Sequence, residues 1–228
     1  MAAKSNRKPV LRIVLFLVCA VVIFVALNTL YSFTNTLRQL DAIELQRDQW
    51  QRPSEVLRAL DLREGSTVAD LGSGSGYFAL KLAPVVGKQG QVLAVDLRKL
   101  SLFFLWTRAL LRGDRGVHVI LGEEDDPRLP AGSVDALLIC NTYHEFSHPE
   151  VILRRVGQSL RAGGRLVVVD RAPRPVADQR AAEHGHEVPL SAVEGELQQN
   201  GFEIVSHDDH FIDRAGDDLW WLVIARKP

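Results

Sequence analysis

The sequence predicts an α/β fold: a doubly wound sheet of seven strands with the last strand antiparallel, preceded by one N-terminal transmembrane helix. Three observations predict it. From about Pro53 onward, short apolar runs alternate with segments of helical spacing, the rhythm of strand–helix–strand units whose strands run parallel. Two late apolar segments, 202–206 and 219–225, follow one another with no helix between them, which makes a hairpin. Ahead of all this, residues 13–30 pass without a single charge, about the length that crosses a hydrocarbon core of roughly 30 Å as a helix.

The N-terminus carries Lys4, Arg7, Lys8 and Arg12 in a basic tail over 1–12, and the spanning helix is expected over 13–31. A cleaved signal peptide and a buried core helix are the competing readings. The run exceeds the roughly 7 to 15 residues of a signal-peptide core and no A-x-A-like site follows it cleanly, so an uncleaved anchor is expected. Cys19, in mid-run behind Val18, does not make a lipoprotein cleavage site. The basic tail outweighs Arg38 and Arg47 beyond the span, which by the positive-inside tendency puts the main domain outside the cytoplasm.

Residues 32–52 are polar, with Phe33, Leu37, Leu40 and Glu44 at helical spacing, and read as a stalk. Pro53 opens the main domain, 53–228, with a short helix over 54–60 and a turn at Arg63-Glu64-Gly65. A first strand ends at Asp70. A helix over 77–86 stops at Gly87 and Gly90, and a second strand, 91–95, ends in Asp96. A helix over 98–112 and a strand over 116–121 follow. Residues 134–140 are apolar almost without interruption, as in a strand buried on both faces. A helix over 149–160 closes on Ala162-Gly163-Gly164, and a fifth strand, 165–169, ends in Asp170. The last helix is expected over about 191–200, before the hairpin.

The chemistry gathers where the first strand ends. Asp70 closes an apolar run, and Gly72, Gly74 and Gly76 follow at alternate positions. Glycines this close suit a loop that takes φ values other residues avoid and admits a ligand with no Cβ in the way. A carboxylate there serves a pyrophosphate poorly and an ammonium or sulfonium well. A nicotinamide-dinucleotide fingerprint is the alternative, since 74–79 fits G-x-G-x-x-A and Asp96 fits the acid about twenty residues on. Asp70 and the terminal hairpin speak against it.

From about Pro53 to its end the chain resembles the class I S-adenosylmethionine-dependent methyltransferases, a Rossmann-like family. The resemblance lies in D-x-G-x-G-x-G after strand one, an acid after strand two, a G-G turn before strand five and the terminal hairpin. Within the family it is most similar to the small-molecule group that includes the ubiquinone and menaquinone biosynthesis methyltransferases. The resemblance implies S-adenosylmethionine as cofactor, with Asp70, Gly72, Ser73, Gly74, Gly76 and Tyr77 around its methionine part. It implies that Asp96 accepts from both ribose hydroxyls, a carboxylate having two acceptor oxygens for a vicinal diol, and that Leu97 packs beside the adenine. Of the acids Glu123, Glu124 and Asp125 after strand three, Glu123 is the expected partner of the adenine amino group. The end of strand four, 141–146, lines the transfer site in that family. Asn141 is expected against the cofactor, Tyr143 beside the methyl group, and His144 or Glu145 as base; a His144 that merely caps or packs is the competing reading. The segment is not the N-P-P-Y of amino-group methyltransferases. With Cys140 the single cysteine of the domain, it also lacks the cysteines of arsenite-methylating members.

His184, His186, His207 and His210 stand at spacings that can chelate, but ordinary loop histidines are preferred and no metal site is expected. His186 and Glu187 are secondary candidates for acceptor contact. The helix after Asp96 is apolar round nearly its whole circumference, from Leu100 through Phe103, Phe104 and Trp106 to Leu111, with Arg98, Lys99, Arg108 and Arg112 placed at its ends. One face packs on the sheet; the other is extra packing or meets the stalk, a partner or a membrane interface. A net charge of -1 argues against a nucleic-acid binder, and a Cys19–Cys140 disulfide is not expected. The expected activity is methyl transfer from S-adenosylmethionine to a small, lipophilic acceptor such as a quinol, phenol or lipid. A membrane-tethered cofactor-binding module without turnover is the alternative. Because that cofactor is a cytoplasmic metabolite, a cytoplasm-facing domain is preferred over the side that the basic tail predicts.

Overall fold

The computed structural model describes residues 7–173, 187–214 and 218–228, with side chains from residue 12 onward. The chain divides into two units, Met1–Leu45 and Gln46–Pro228. Helix α1 (Arg7–Asp48) supplies the first and ends inside the second. Its most apolar 18-residue window has a mean hydropathy of 2.9 and none of it is buried, so by length and composition it is able to cross a membrane. Polar side chains in this stretch return their donors to the helix. Asn28 Nδ2 donates to the Phe24 carbonyl at 3.0 Å and Thr29 Oγ1 to that of Val25 at 2.8 Å, which satisfies these donors within the helix itself.

The second unit begins at Gln46, ahead of the Pro53 boundary read from the sequence. Gln51 is wholly buried, with Nε2 3.5 Å from Cys140 Sγ, and the Trp50 ring lies 5.7 Å from that of Trp220. Arg52, at φ 50, turns the chain into α2 (Pro53–Ala59) and donates to the Phe211 carbonyl.

The strands are β1 (Thr67–Leu71), β2 (Gln91–Asp96), β3 (Val117–Leu121), β4 (Val134–Cys140), β5 (Leu160–Ala172), β6 (Glu203–Asp213) and β7 (Leu219–Arg226). They form one sheet of seven in the order β3-β2-β1-β4-β5-β7-β6. Neighbours among the first five pair parallel, and β7 is antiparallel to both β5 and β6, which is the expected fold. Alternate side chains leave each strand on opposite faces. From β4, Ala136, Leu138 and Cys140 enter the core formed with α2, α3 (Ala79–Val86) and α4 (Lys99–Arg112). Leu137 and Ile139 enter the other, with α5 (Pro149–Ser159) and α6 (Leu190–Gln199). Strand β6 is longer than the 202–206 read from the sequence because it is an edge. Its exposed residues need only the backbone ladder, and register shifts at Ile204/Ser206 and Asp208/Ile212 twist it. Strand order reverses between β1 and β4, and in such sheets ligands bind in the crevice at the carboxyl ends of the strands there.

Candidate functional site

A cavity of about 510 Å³ occupies that crevice, lined by the ends of β1, β2 and β4 and the loops after them. The backbone of the β1 loop is fastened to β2, with the N–H groups of Gly72 and Ser73 both donating to the Val95 carbonyl at 2.9 Å. Gly72 has φ +81, and a Cβ there would stand 2.1 Å from Thr142 Oγ1, so only glycine lets the loop lie against the end of β4. Asp96 closes the other side. Its Oδ2 accepts from Gly74 N–H at 2.8 Å and its Oδ1 from Arg98 N–H at 2.8 Å, which leaves acceptor capacity on a buried carboxylate at the cavity wall. Below the loop, Arg108 is buried and its Nη1 donates to the Ser75 carbonyl at 2.7 Å. The sequence placed Arg108 at an end of its helix; the structure turns it inward as a brace.

The chemistry of the donor set fits a cationic ligand that carries hydrogen-bond donors. Asp70, Asp96, Glu123, Glu124 and Glu145 line the cavity against Arg47 and Arg98, a balance that repels a pyrophosphate and attracts a sulfonium or ammonium. Three buried lining atoms, Asp70 Oδ2, Ser73 Oγ and Asn141 Oδ1, have no hydrogen-bond partner among the described residues. Buried polar atoms are rarely left so, and a ligand with an amino group and hydroxyls supplies what they need. Burial pushes the Asp70 carboxyl up to about 7, against the pull of the Ala79 N–H and of Arg47.

That shift sets two pH dependences. The folded value lies above the ordinary 3.8, so the folded state holds the proton longer and stability falls as pH rises from about 4 to about 7. Asp70→Asn is expected to raise the thermal midpoint above about pH 7 and to leave it unchanged near pH 4. A cation bound beside Asp70 favours the ionised form, so affinity for such a ligand rises with pH up to about 7 and then levels. Calorimetry at about pH 6 and pH 8 reads the second effect as proton release on binding below 7.

The end of β4 distributes the other expected residues. Asn141, at φ 55, Thr142, Glu145 and Phe146 line the cavity. Tyr143, expected beside the methyl group, is buried away from it. Its hydroxyl donates to Glu196 of α6, its ring lies 5.4 Å from that of Phe146, and burial pushes its hydroxyl pKa up. His144 is also buried and outside the lining. Its Nδ1 lies 2.8 Å from Oδ1 of Asp170, a wholly buried carboxylate that also accepts from the N–H groups of His144 and Arg171. A carboxylate at Nδ1 keeps the proton there and leaves Nε2, 3.9 Å from Glu145 Oε1, as the basic nitrogen. Tyr77 lines the cavity with its ring 3.8 Å from the Arg47 guanidinium and its hydroxyl 2.8 Å from Asp48. Leu97 and Glu123 line it too, but Glu123 is ion-paired with Arg128, while Glu124 accepts from Ser147 at 2.7 Å. Gly76, at φ +97, packs under the loop, where a Cβ would meet Leu105 at 2.2 Å. His207 is hydrogen-bonded to Glu194 and His210 lies beside Asp209. Among the described residues no cluster of metal ligands occurs. His184 and His186 lie outside the described residues. Arg47 and Asp170 escaped the sequence reading: Arg47 belonged to an apparent stalk, and Asp170 was visible only as an acid ending a strand.

Residues 69–168 match the family model described as a methyltransferase domain. A nocamycin O-methyltransferase of Saccharothrix syringae is 30% identical over 120 residues, 53% of this chain and 43% of that protein. A ubiquinone/menaquinone biosynthesis C-methyltransferase of Pseudomonas entomophila is 28% identical over 122 residues, 53% of this chain and 47% of that protein. The chain thus matches less than half the length of these curated relatives. A SAM-dependent methyltransferase of Aquifex aeolicus superposes with a TM-score of 0.68 at 24% identity, covering 85% of this chain and 98% of that one. Residues 69–168 thus match a methyltransferase domain, and the fold around them is the one seen in that S-adenosylmethionine-dependent methyltransferase.

Proposed function

We propose that the protein is a membrane-anchored methyltransferase that moves a methyl group from S-adenosylmethionine to a small, lipophilic acceptor. The observation that carries this reading is the cavity itself, where two buried carboxylates, Asp70 and Asp96, and three orphaned polar atoms face one space. The cofactor supplies an electrophilic methyl group on a sulfonium. Asp96 holds the ribose hydroxyls with the lone pairs that Gly74 and Arg98 do not use. Asp70 faces the ammonium and sulfonium end, with Ser73 and Asn141 accepting from it, and Arg47 meets the carboxylate. Leu97 covers the adenine, and Glu123 or Glu124 takes its amino group.

Displacement at a methyl carbon needs alignment and dryness, which Phe146 and Ile152 supply at the cavity wall. Glu145 is the group placed to take a proton from an acceptor hydroxyl. Asp170, bonded to the N–H and Nδ1 of His144, and Glu196, bonded to Tyr143, fix the turn that carries Glu145. The apolar stretch of α1 supports the anchor and, with it, an acceptor dissolved in lipid. The supply of the cofactor supports a domain on the cytoplasmic side.

The full chain in phospholipid vesicles, given S-adenosylmethionine and a panel of quinols, phenols and lipids, is expected to yield a methylated product by mass spectrometry. Glu145→Gln is expected to lower kcat by about 10²- to 10⁴-fold and to change cofactor affinity by less than about twofold. A protein that binds the cofactor and methylates nothing in the panel supports the tethered binding module in its place.

A further inference from the structure

We propose that the outward face of α4 docks on the headgroup region of an anionic lipid bilayer. Leu100, Phe103, Trp106, Leu110 and Leu111 are between 47% and 71% exposed on this face, while Leu102, Leu105 and Ala109 are buried on the opposite one. Leu100, Phe103, Trp106 and Leu110 recur at intervals of three and four, so they form one continuous stripe. The polar residues of the helix do not interrupt it. Thr107 is turned inward onto the Phe103 carbonyl and Arg108 onto Ser75. A helix whose second face met only water would carry polar residues there.

The charge pattern says what covers the stripe. Lys99 and Arg112 stand at its two ends, Arg112 beside Asp114, and no acidic residue falls within 99–112. The stripe itself offers no carboxylate to the Lys99 of a second copy packed face to face, whereas an anionic bilayer surface complements that cation. Aromatic rings settle at headgroup level, leucines reach the acyl boundary, and flanking cations meet phosphates. The same helix begins at the cavity, since Leu97, Arg98 and Ser101 line it. Docking therefore brings the cavity rim to the lipid in which a lipophilic acceptor dissolves. The docking rests on the reading that the chain is held at a membrane.

Tryptophan fluorescence of the full chain tests it, because the apolar stretch of α1 contains no tryptophan, Trp220 and Trp221 are buried and Trp50 is half-buried with its ring 5.7 Å from that of Trp220, which leaves Trp106 as the exposed one of the four. The protein is reconstituted in vesicles of phosphatidylcholine and phosphatidylglycerol in equal parts, with acyl chains brominated. Quenching is expected, with at least about half of it lost in Trp106→Phe, and about a twofold loss on Leu110→Glu or in phosphatidylcholine alone. Equal quenching of wild type and Trp106→Phe overturns the docking. So does a Trp106 shielded from acrylamide yet untouched by brominated lipid, which is the signature of a protein cover. Flotation separates the two readings: a chain that does not float with vesicles overturns anchor and docking together, and one that floats with Trp106 unquenched overturns the docking alone.

Discussion

Asp96→Ala is expected to weaken S-adenosylmethionine binding by about 10²- to 10⁴-fold. Hydrogen bonds to a charged acceptor contribute about 1.5–3 kcal/mol each, and the proposed role of Asp96 gives it two such bonds, to the ribose diol, that the variant loses at once. At about 1.4 kcal/mol per tenfold, the pair accounts for the expected range. The loop suffers as well, because Gly74 N–H and Arg98 N–H lose their acceptor. Asp96→Asn keeps one acceptor oxygen but presents a donor on the other side, so it is expected to fall between the wild type and the alanine variant. Titration calorimetry reads the affinity, and near-ultraviolet circular dichroism confirms that the ligand-free variant is folded. An Asp96→Ala protein that binds with unchanged affinity removes Asp96 from the site.

Gly72→Ala is expected to be the most damaging small substitution in the loop, costing about 2–4 kcal/mol of stability. Two causes add. The residue sits at φ +81, where an L side chain is strained, and the new Cβ would lie 2.1 Å from Thr142 Oγ1 and 2.4 Å from its Cγ2. Gly74→Ala isolates the first cause. At φ +53 its Cβ would have Arg98 Nη2 as nearest neighbour at 4.0 Å, so the backbone term alone remains, about 1 kcal/mol. Thermal unfolding of Gly72→Ala, Thr142→Gly and the double variant closes a cycle in which removing the Thr142 side chain recovers the clash but not the strain. A Gly72→Ala protein no less stable than Gly74→Ala contradicts the close approach of the loop to the end of β4.

Much of this was legible in the sequence, and the rest was hidden for physical reasons. Strands β1, β2 and β4 are buried on both faces, so they announce themselves as apolar runs, and the acid ending each of β1 and β2 marks the crevice. Strand β6 is an edge whose outward residues are polar, and periodicity does not see it beyond its first residues. The end of α1 and the residues just after it were read as part of a stalk because Arg47, Asp48 and Gln51 are polar. Each is nevertheless tied to the domain, Arg47 over the Tyr77 ring, Asp48 to Tyr77 and Lys81, and Gln51 against Cys140. Nothing in a single sequence distinguishes a polar residue in solvent from one with a partner about thirty or ninety positions away. Spacing likewise placed Tyr143, His144 and Glu145 at the end of β4 without their directions. Those depend on Asn141 at φ 55 and on a single 3-10 turn over Tyr143–Glu145, which turn Glu145 to the cavity, Tyr143 to α6 and His144 to Asp170.

Equilibrium titration of the chain in micelles, with S-adenosylmethionine and separately with a nicotinamide dinucleotide, tests most directly whether this cavity is a sulfonium-nucleotide site. Saturable binding of one S-adenosylmethionine per chain, lost in Asp96→Ala, with no binding of the dinucleotide, is the expected result. Saturable binding of the dinucleotide with none of S-adenosylmethionine contradicts it.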